Sequence, residues 1–122
     1  MAIDPRGSDL KRFIAEDDGA PVVMLNLLRF ADGGRARYDE YARALQPFLA
    51  KVGGELVYGG DGATALVAEP GQAWDTVLLV KYPSRAAFCA MVADPDYQRI
   101  THLRTEALRE AVLQATIPWR QR

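Results

Sequence analysis

The stretch from Trp74 to Tyr97, WDTVLLVKYPSRAAFCAMVADPDY, constrains the fold more than any other, because it holds an apolar run, a stop, a capped helix and the start of a second helix. From Thr76 to Tyr82 the residues are β-branched, aliphatic or aromatic with almost no interruption, the pattern of a strand covered on both faces. Pro83 ends it. Ser84 then offers a hydroxyl oxygen to the orphan N–H groups of the following turn, and Ala86, Ala87, Phe88, Met91 and Val92 recur at helical spacing. Asp94-Pro95 repeats the device, with Asp94 as cap and Pro95 at the first helical position, where its missing N–H costs nothing. The stretch predicts a strand crossing to a bent helical pair and identifies no reaction.

The remaining elements follow from similar signals. Ser8 is placed to cap a short helical extension over 8–18, with Leu10, Phe13 and Ile14 on one face. PVVMLNLLRF, from Pro21 to Phe30, is the most apolar run of the chain and reads as a central strand. After Asp32-Gly33-Gly34, the residues Tyr38, Tyr41, Leu45, Phe48, Leu49 and Val52 recur at three-to-four spacing, which predicts a helix kinked at Pro47 and stopped by Gly53-Gly54. Glu55–Tyr58 and Ala63–Ala68 read as short β segments around Gly59-Gly60-Asp61-Gly62, either a hairpin or one strand broken by a bulge. A helix from Pro95 through Leu108 and a last strand from Ala111 to Ile117 complete the pattern, with 119–122 as a tail.

The order is strand, helix, strand, strand, helix pair, strand. This is the split βαβ pattern of an α+β, ferredoxin-like βαββαβ sandwich with an antiparallel sheet, in one domain over 1–122. In that topology the first and third strands lie in the middle, and here those two are the most apolar. Helices cover only one face of such a sheet, yet the central strands are apolar on both, so a second copy is expected on the other face.

Composition removes several function classes. Fifteen Lys and Arg stand against sixteen Asp and Glu, a formal charge of -1, so no whole-molecule field attracts nucleic acid. No segment approaches the roughly twenty apolar residues that span a bilayer, and no apolar leader opens the chain, which predicts a cytoplasmic protein without membrane contact. Cys89 is the single cysteine and His102 the single histidine. No intrachain disulfide and no metal site are therefore expected. Glycine-rich phosphate loops and a Gly-x-Ser-x-Gly elbow are absent, so no cofactor is expected.

Taken together, PVVMLNLLRF, Tyr38 and Tyr41, Gly53-Gly54, WDTVLLVKYPSR, Phe88, MVADPDYQRI and HLRTEALREAVL make nearly the whole chain resemble the family catalogued as domain of unknown function 1330, within the dimeric α/β-barrel superfamily. The resemblance implies a homodimer whose sheets pack face to face into a barrel, with a small cavity between sheet and helices in each subunit. It implies no activity.

Candidate site residues come from polar groups in apolar surroundings. Alternation puts Asn26 on one strand face with Val22, Met24 and Leu28, so its amide must find partners or bind something. The same rule puts Trp74, Thr76, Leu78, Val80 and Tyr82 on one face, making Trp74 and Tyr82 walls of an apolar surface, although core packing explains both aromatics equally well. His102 is the natural base near neutral pH, but Gln98 and Glu106 at four-residue spacing also suit a solvated face. Arg29 and Arg85, just beyond strand ends, offer bidentate forks for a carboxylate or serve solubility alone.

Two functions fit. One is a cofactor-independent isomerase or monooxygenase-like enzyme acting on a small apolar or aromatic acid. In it Asn26 polarises a carbonyl or enolate, Tyr41, Trp74 and Tyr82 shape the pocket, and His102 or Arg29 acts as base or anion clamp. The other is a non-catalytic, metabolite-binding or stress-related dimer using the same cavity. A third, haem binding, rests on a similarity of the strand Asn and Trp to haem-degrading relatives, and His102 lies too far along the chain to match their axial ligand.

Overall fold

The computed structural model describes residues 2–119, and residues 120–122 of the expected tail lie outside the described residues. The elements are α1 (Gly7–Ala15), β1 (Val22–Phe30), α2 (Gly34–Lys51), β2 (Glu55–Asp61), β3 (Thr76–Tyr82), α3 (Arg85–Ala93), α4 (Pro95–Gln98), α5 (Thr101–Ala107) and β4 (Leu108–Thr116). Four antiparallel strands form one sheet in the order β2-β3-β1-β4. The two most apolar strands, β1 and β3, occupy the centre, as the ferredoxin-like reading requires.

Each helix boundary has a local cause. The Ser84 hydroxyl accepts from Ala87 N–H at 3.1 Å and opens α3, while an Asp94 carboxylate oxygen accepts from Asp96 N–H at 2.9 Å and opens α4. That backbone bond, with the Lys51 ammonium behind it, holds the Asp94 carboxyl below its ordinary range, so the charged cap persists through neutral pH. The helix α2 runs through Pro47 and stops in a Schellman turn. Gly53 N–H donates to Ala50 O at 3.1 Å and Gly54 N–H to Leu49 O at 2.9 Å. Gly53 adopts φ 77°, the left-handed region where a Cβ is penalised.

Four boundaries depart from the sequence reading. Ser8 lies inside α1 and does not cap it; the turn is instead held by Arg6 Nε donating to Asp9 at 2.8 Å. The helix expected from Pro95 to Leu108 divides into α4 and α5 where the Thr101 hydroxyl donates to Gln98 O at 2.9 Å, taking an acceptor that a continuous helix would use. It ends at Ala107, whose carbonyl accepts from Ala31 N–H at 2.9 Å, and Leu108 already belongs to β4. Between Glu55 and Ala68 the chain makes one strand with a register shift around Val57, followed by a loop over 62–75. Ala63–Ala68 has no strand to pair with, and Leu66 and Val67 there are 92% and 95% exposed.

Strand alternation separates two environments. Val22, Met24 and Leu28 of β1, with Val80 and Tyr82 of β3, are buried under the helices alongside Phe88, Met91, Leu103 and Ala107. Val23, Leu25 and Leu27, paired with Lys81, Leu79 and Val77 on one side and Thr116, Gln114 and Val112 on the other, point to the opposite face. Among the described residues no helix covers that face.

Candidate binding cavity

The helix-side face of the sheet does not pack flush against the helices. A cavity of about 660 Å³ separates them, within the range that holds a small organic ligand. Met24 and Asn26 of β1, Leu78 and Val80 of β3 and Leu113 of β4 form its floor, and Tyr38, Tyr41 and Leu45 of α2 descend from above. These three recur at i, i+3 and i+7 on the helix, so one face of α2 supplies one wall. Phe88 and Met91 close an apolar end, and Tyr82 lines the cavity with its ring against Phe88.

The other end is polar. Tyr41 and Tyr97 bring their hydroxyls within 2.8 Å of each other, and the Tyr38 ring lies 5.5 Å from that of Tyr41. Burial pushes the Tyr38 phenol up to about 12, with the Arg104 charge pulling against it. Tyr41 is raised as well, first by burial and then by Tyr97, and burial likewise raises Tyr82. At ordinary pH these three groups are neutral donors and acceptors rather than bases. Around the rim, Arg35 pairs with Asp61 at 2.9 Å and with Asp39 at 3.5 Å, and the Thr76 hydroxyl donates to Asp61 at 3.3 Å.

Arg104 completes the polar end, and sequence reasoning passed over it. It is 8% exposed and lines the cavity. Nη1 donates to Ile3 O at 2.6 Å and to Asp4 Oδ1 at 3.1 Å, and the Thr105 hydroxyl donates to the same Asp4 carboxylate at 3.0 Å. Nη2 is buried and has no hydrogen-bond partner among the described residues. The available signal was position: Arg104 sits seven residues after Tyr97 and three before Ala107, both buried, on the inward stripe of α4 and α5.

Of the residues singled out from sequence, Asn26, Tyr41 and Tyr82 meet in this cavity. Asn26 is half-buried and donates to Met24 O at 3.2 Å, a bond within its own strand. Arg29, Trp74, Arg85 and His102 are not brought to it. Arg29 follows the alternation of Leu25 and Leu27 to the far sheet face, where Nε pairs with Glu110 at 3.0 Å and the other two nitrogens donate to Ala73 O and Gly71 O. Trp74 precedes β3, since Asp75 turns its carboxylate back to accept from Phe30 N–H at 2.9 Å, and its ring lies 4.4 Å from the Arg29 guanidinium. Alternation therefore does not carry Trp74 to the Tyr82 face. Arg85 stacks on Phe13, 4.8 Å from the ring centre, beside a smaller cavity under α1. His102 is exposed on α5 while its neighbours Leu103 and Arg104 turn inward.

Among the described residues no group of three or more His, Cys, Asp or Glu side chains could hold a metal ion, and no helix is long and apolar enough to cross a membrane.

The model of the family described as "Domain of unknown function (DUF1330)" matches residues 28–115. The RPA0582 protein of unknown function from Rhodopseudomonas palustris is 31% identical, with a TM-score of 0.90 and 98% of each chain covered. A dimeric ferredoxin-like protein of unknown function from Jannaschia sp. CCS1 is 15% identical, with a TM-score of 0.62 over 81% of this chain and 100% of that one. An uncharacterized NIPSNAP-like domain protein from Burkholderia xenovorans is 14% identical, with a TM-score of 0.60 over 83% of this chain and 87% of that one. The last two show the fold alone. No curated protein matches the sequence.

Proposed function

This chain belongs to the DUF1330 family, and from that footing we propose that it binds a small apolar or aromatic acid in the cavity between sheet and helices, as a homodimer. One observation carries the reading: the cavity of about 660 Å³ combines apolar lining from Met24, Leu78, Val80 and Leu113 with a few buried polar groups, the Tyr41–Tyr97 hydroxyl pair and Arg104 among them. That combination suits a molecule with an apolar body and a polar group.

Native mass spectrometry of protein purified from cells tests it, with one small-molecule adduct expected per chain. Leu78→Trp, which fills the cavity from its floor, should abolish the adduct while circular dichroism stays unchanged. An adduct that survives in this variant would place the ligand elsewhere.

The homodimer reading rests on the far sheet face, where Val23, Leu25, Leu27, Val77, Leu79 and Val112 form an apolar surface that no helix covers among the described residues. Pairing two such faces should bury more than roughly 1,200 Å² in total. Analytical ultracentrifugation should give a dimer at micromolar concentration and a monomer for Leu25→Asp. A wild-type monomer under those conditions removes the dimer.

A catalytic use of the cavity has one observation in its favour, the paired hydroxyls of Tyr41 and Tyr97 in the same cavity as the Asn26 amide, which suit stabilisation of a developing enolate. Its base would come from the lining carboxylates Asp4, Asp39 or Asp61, since His102 lies outside. Catalysis requires that Asn26→Ala lose turnover while keeping affinity.

A further inference from the structure

We propose that Arg104 is the carboxylate anchor of the cavity, which makes the ligand class a monocarboxylate with an apolar or aromatic tail. The inference rests on the cavity being a binding site and specifies which group recognises the acid.

The arginines near the cavity differ in what each has left to give. Arg29 uses all three guanidinium nitrogens on Glu110, Ala73 and Gly71, on the wrong face of the sheet. Arg35 is committed at the rim to Asp61 and Asp39. Arg85 is stacked on Phe13. Arg104 alone among these combines burial, a place in the cavity wall and an unspent donor: Nη2 is the buried side-chain nitrogen without a hydrogen-bond partner among the described residues. A buried N–H of a permanent cation is costly to leave unmet, and a carboxylate oxygen is the acceptor that answers both the charge and the hydrogen bond.

The groups around it narrow the class. Asp4 pairs with Nη1, but its side chain is 51% exposed, so water screens its charge and the guanidinium keeps much of its attraction for an anion. With Asp4 already claiming part of a single positive charge, a phosphate near two negative charges is poorly matched, whereas one carboxylate is not. Tyr38, Tyr41 and Tyr97 place hydroxyls at the same end to meet a second carboxylate oxygen. The tail then lies over the apolar side chains of Met24, Leu78, Val80 and Leu113, with the Asn26 amide among them.

Isothermal titration of the full chain with phenylacetate and hexanoate, each against its own amide, tests the anchor. The wild type should bind each acid at least about tenfold more tightly than the amide, as expected when a hydrogen bond to a cation loses its charged partner. Arg104→Met should bring the acid down to the affinity of the amide and leave the amide unchanged, while Arg104→Lys, keeping the charge without the fork, should retain part of the preference. Should Arg104→Met fail to fold, the wild-type comparison and Arg104→Lys decide. Equal binding of acid and amide by the wild type, or an acid preference untouched in the variants, overturns the anchor and leaves the cavity standing as a site. Absence of binding by both classes overturns the anchor and the cavity reading together.

Discussion

Raising the pH from about 9 to about 12 is expected to unfold the protein cooperatively, because the unfolded phenols lose their protons near pH 10 and the buried ones do not. Tyr38 titrates at about 12 in the folded chain, with burial as the main cause. Its folded value is raised, so its contribution is fully present below pH 10 and is lost as the pH climbs through that interval, where the unfolded state holds fewer protons. Lifting one phenol from about 10 to about 12 corresponds to about 3 kcal/mol, a large part of the roughly 5 to 15 kcal/mol that holds an ordinary domain. Tyr41 and Tyr82 move in the same direction and steepen the loss. The phenolate absorbance of the buried tyrosines should rise together with the loss of the far-ultraviolet circular dichroism signal. Complete ionisation of all tyrosines while the circular dichroism remains native would contradict their burial.

Gly34→Ala is expected to destabilise the protein by roughly 2 to 4 kcal/mol, the range of severe overpacking. Gly34 is buried at the first position of α2, and a Cβ there would collide with the carbonyl oxygen of Ala107 and lie 3.0 Å from its carbonyl carbon. Those atoms are backbone and cannot rotate away, and the same carbonyl anchors Ala31 N–H at 2.9 Å. Relief requires α2 to move away from α5, which carries Tyr38 and Tyr41 out of register with Tyr97 and Arg104. A drop of about 10 °C in Tm follows from the size of the effect. Gly7→Ala, with nothing within 4 Å of the added carbon, is the matched control and should leave Tm unchanged or slightly raised. Equal Tm values for the two variants would remove the close approach of α2 to the end of α5.

The sheet was legible because burial on two faces leaves an uninterrupted apolar run, and β1 and β3 both carry one. The Ser84 and Asp94 caps were legible because one side chain decides each locally. What escaped depends on partners distant in sequence. Ala63–Ala68 contains strand-forming residues, but a strand exists only where a neighbour pairs with it, and β3 is already occupied by Glu55–Asp61. Extending the β3 alternation back to Trp74 fails because it runs past the true start of the strand, where Asp75 bonds to β1. Of the cavity, Asn26, Tyr41 and Tyr82 were found because each sits on a clear periodic face. Arg104 was not, since a search for apolar stripes skips an arginine within one, and only the fold reveals that its Nη1 partners are Ile3 and Asp4 at the far end of the chain.

The central place of β1 has a consequence for synthesis on the ribosome. Its partner on one side, β4, is separated from it by about eighty residues, as the pairing of Arg29 with Glu110 illustrates with a separation of 81. The most apolar strand therefore emerges early, while the strand that protects one of its edges is made late. Throughout that interval it offers unpaired N–H and C=O groups and apolar surface to any neighbouring nascent chain. Fast translation or chaperone capture of the first half should raise the yield of native protein, and chains released before β4 is complete should be the ones that aggregate.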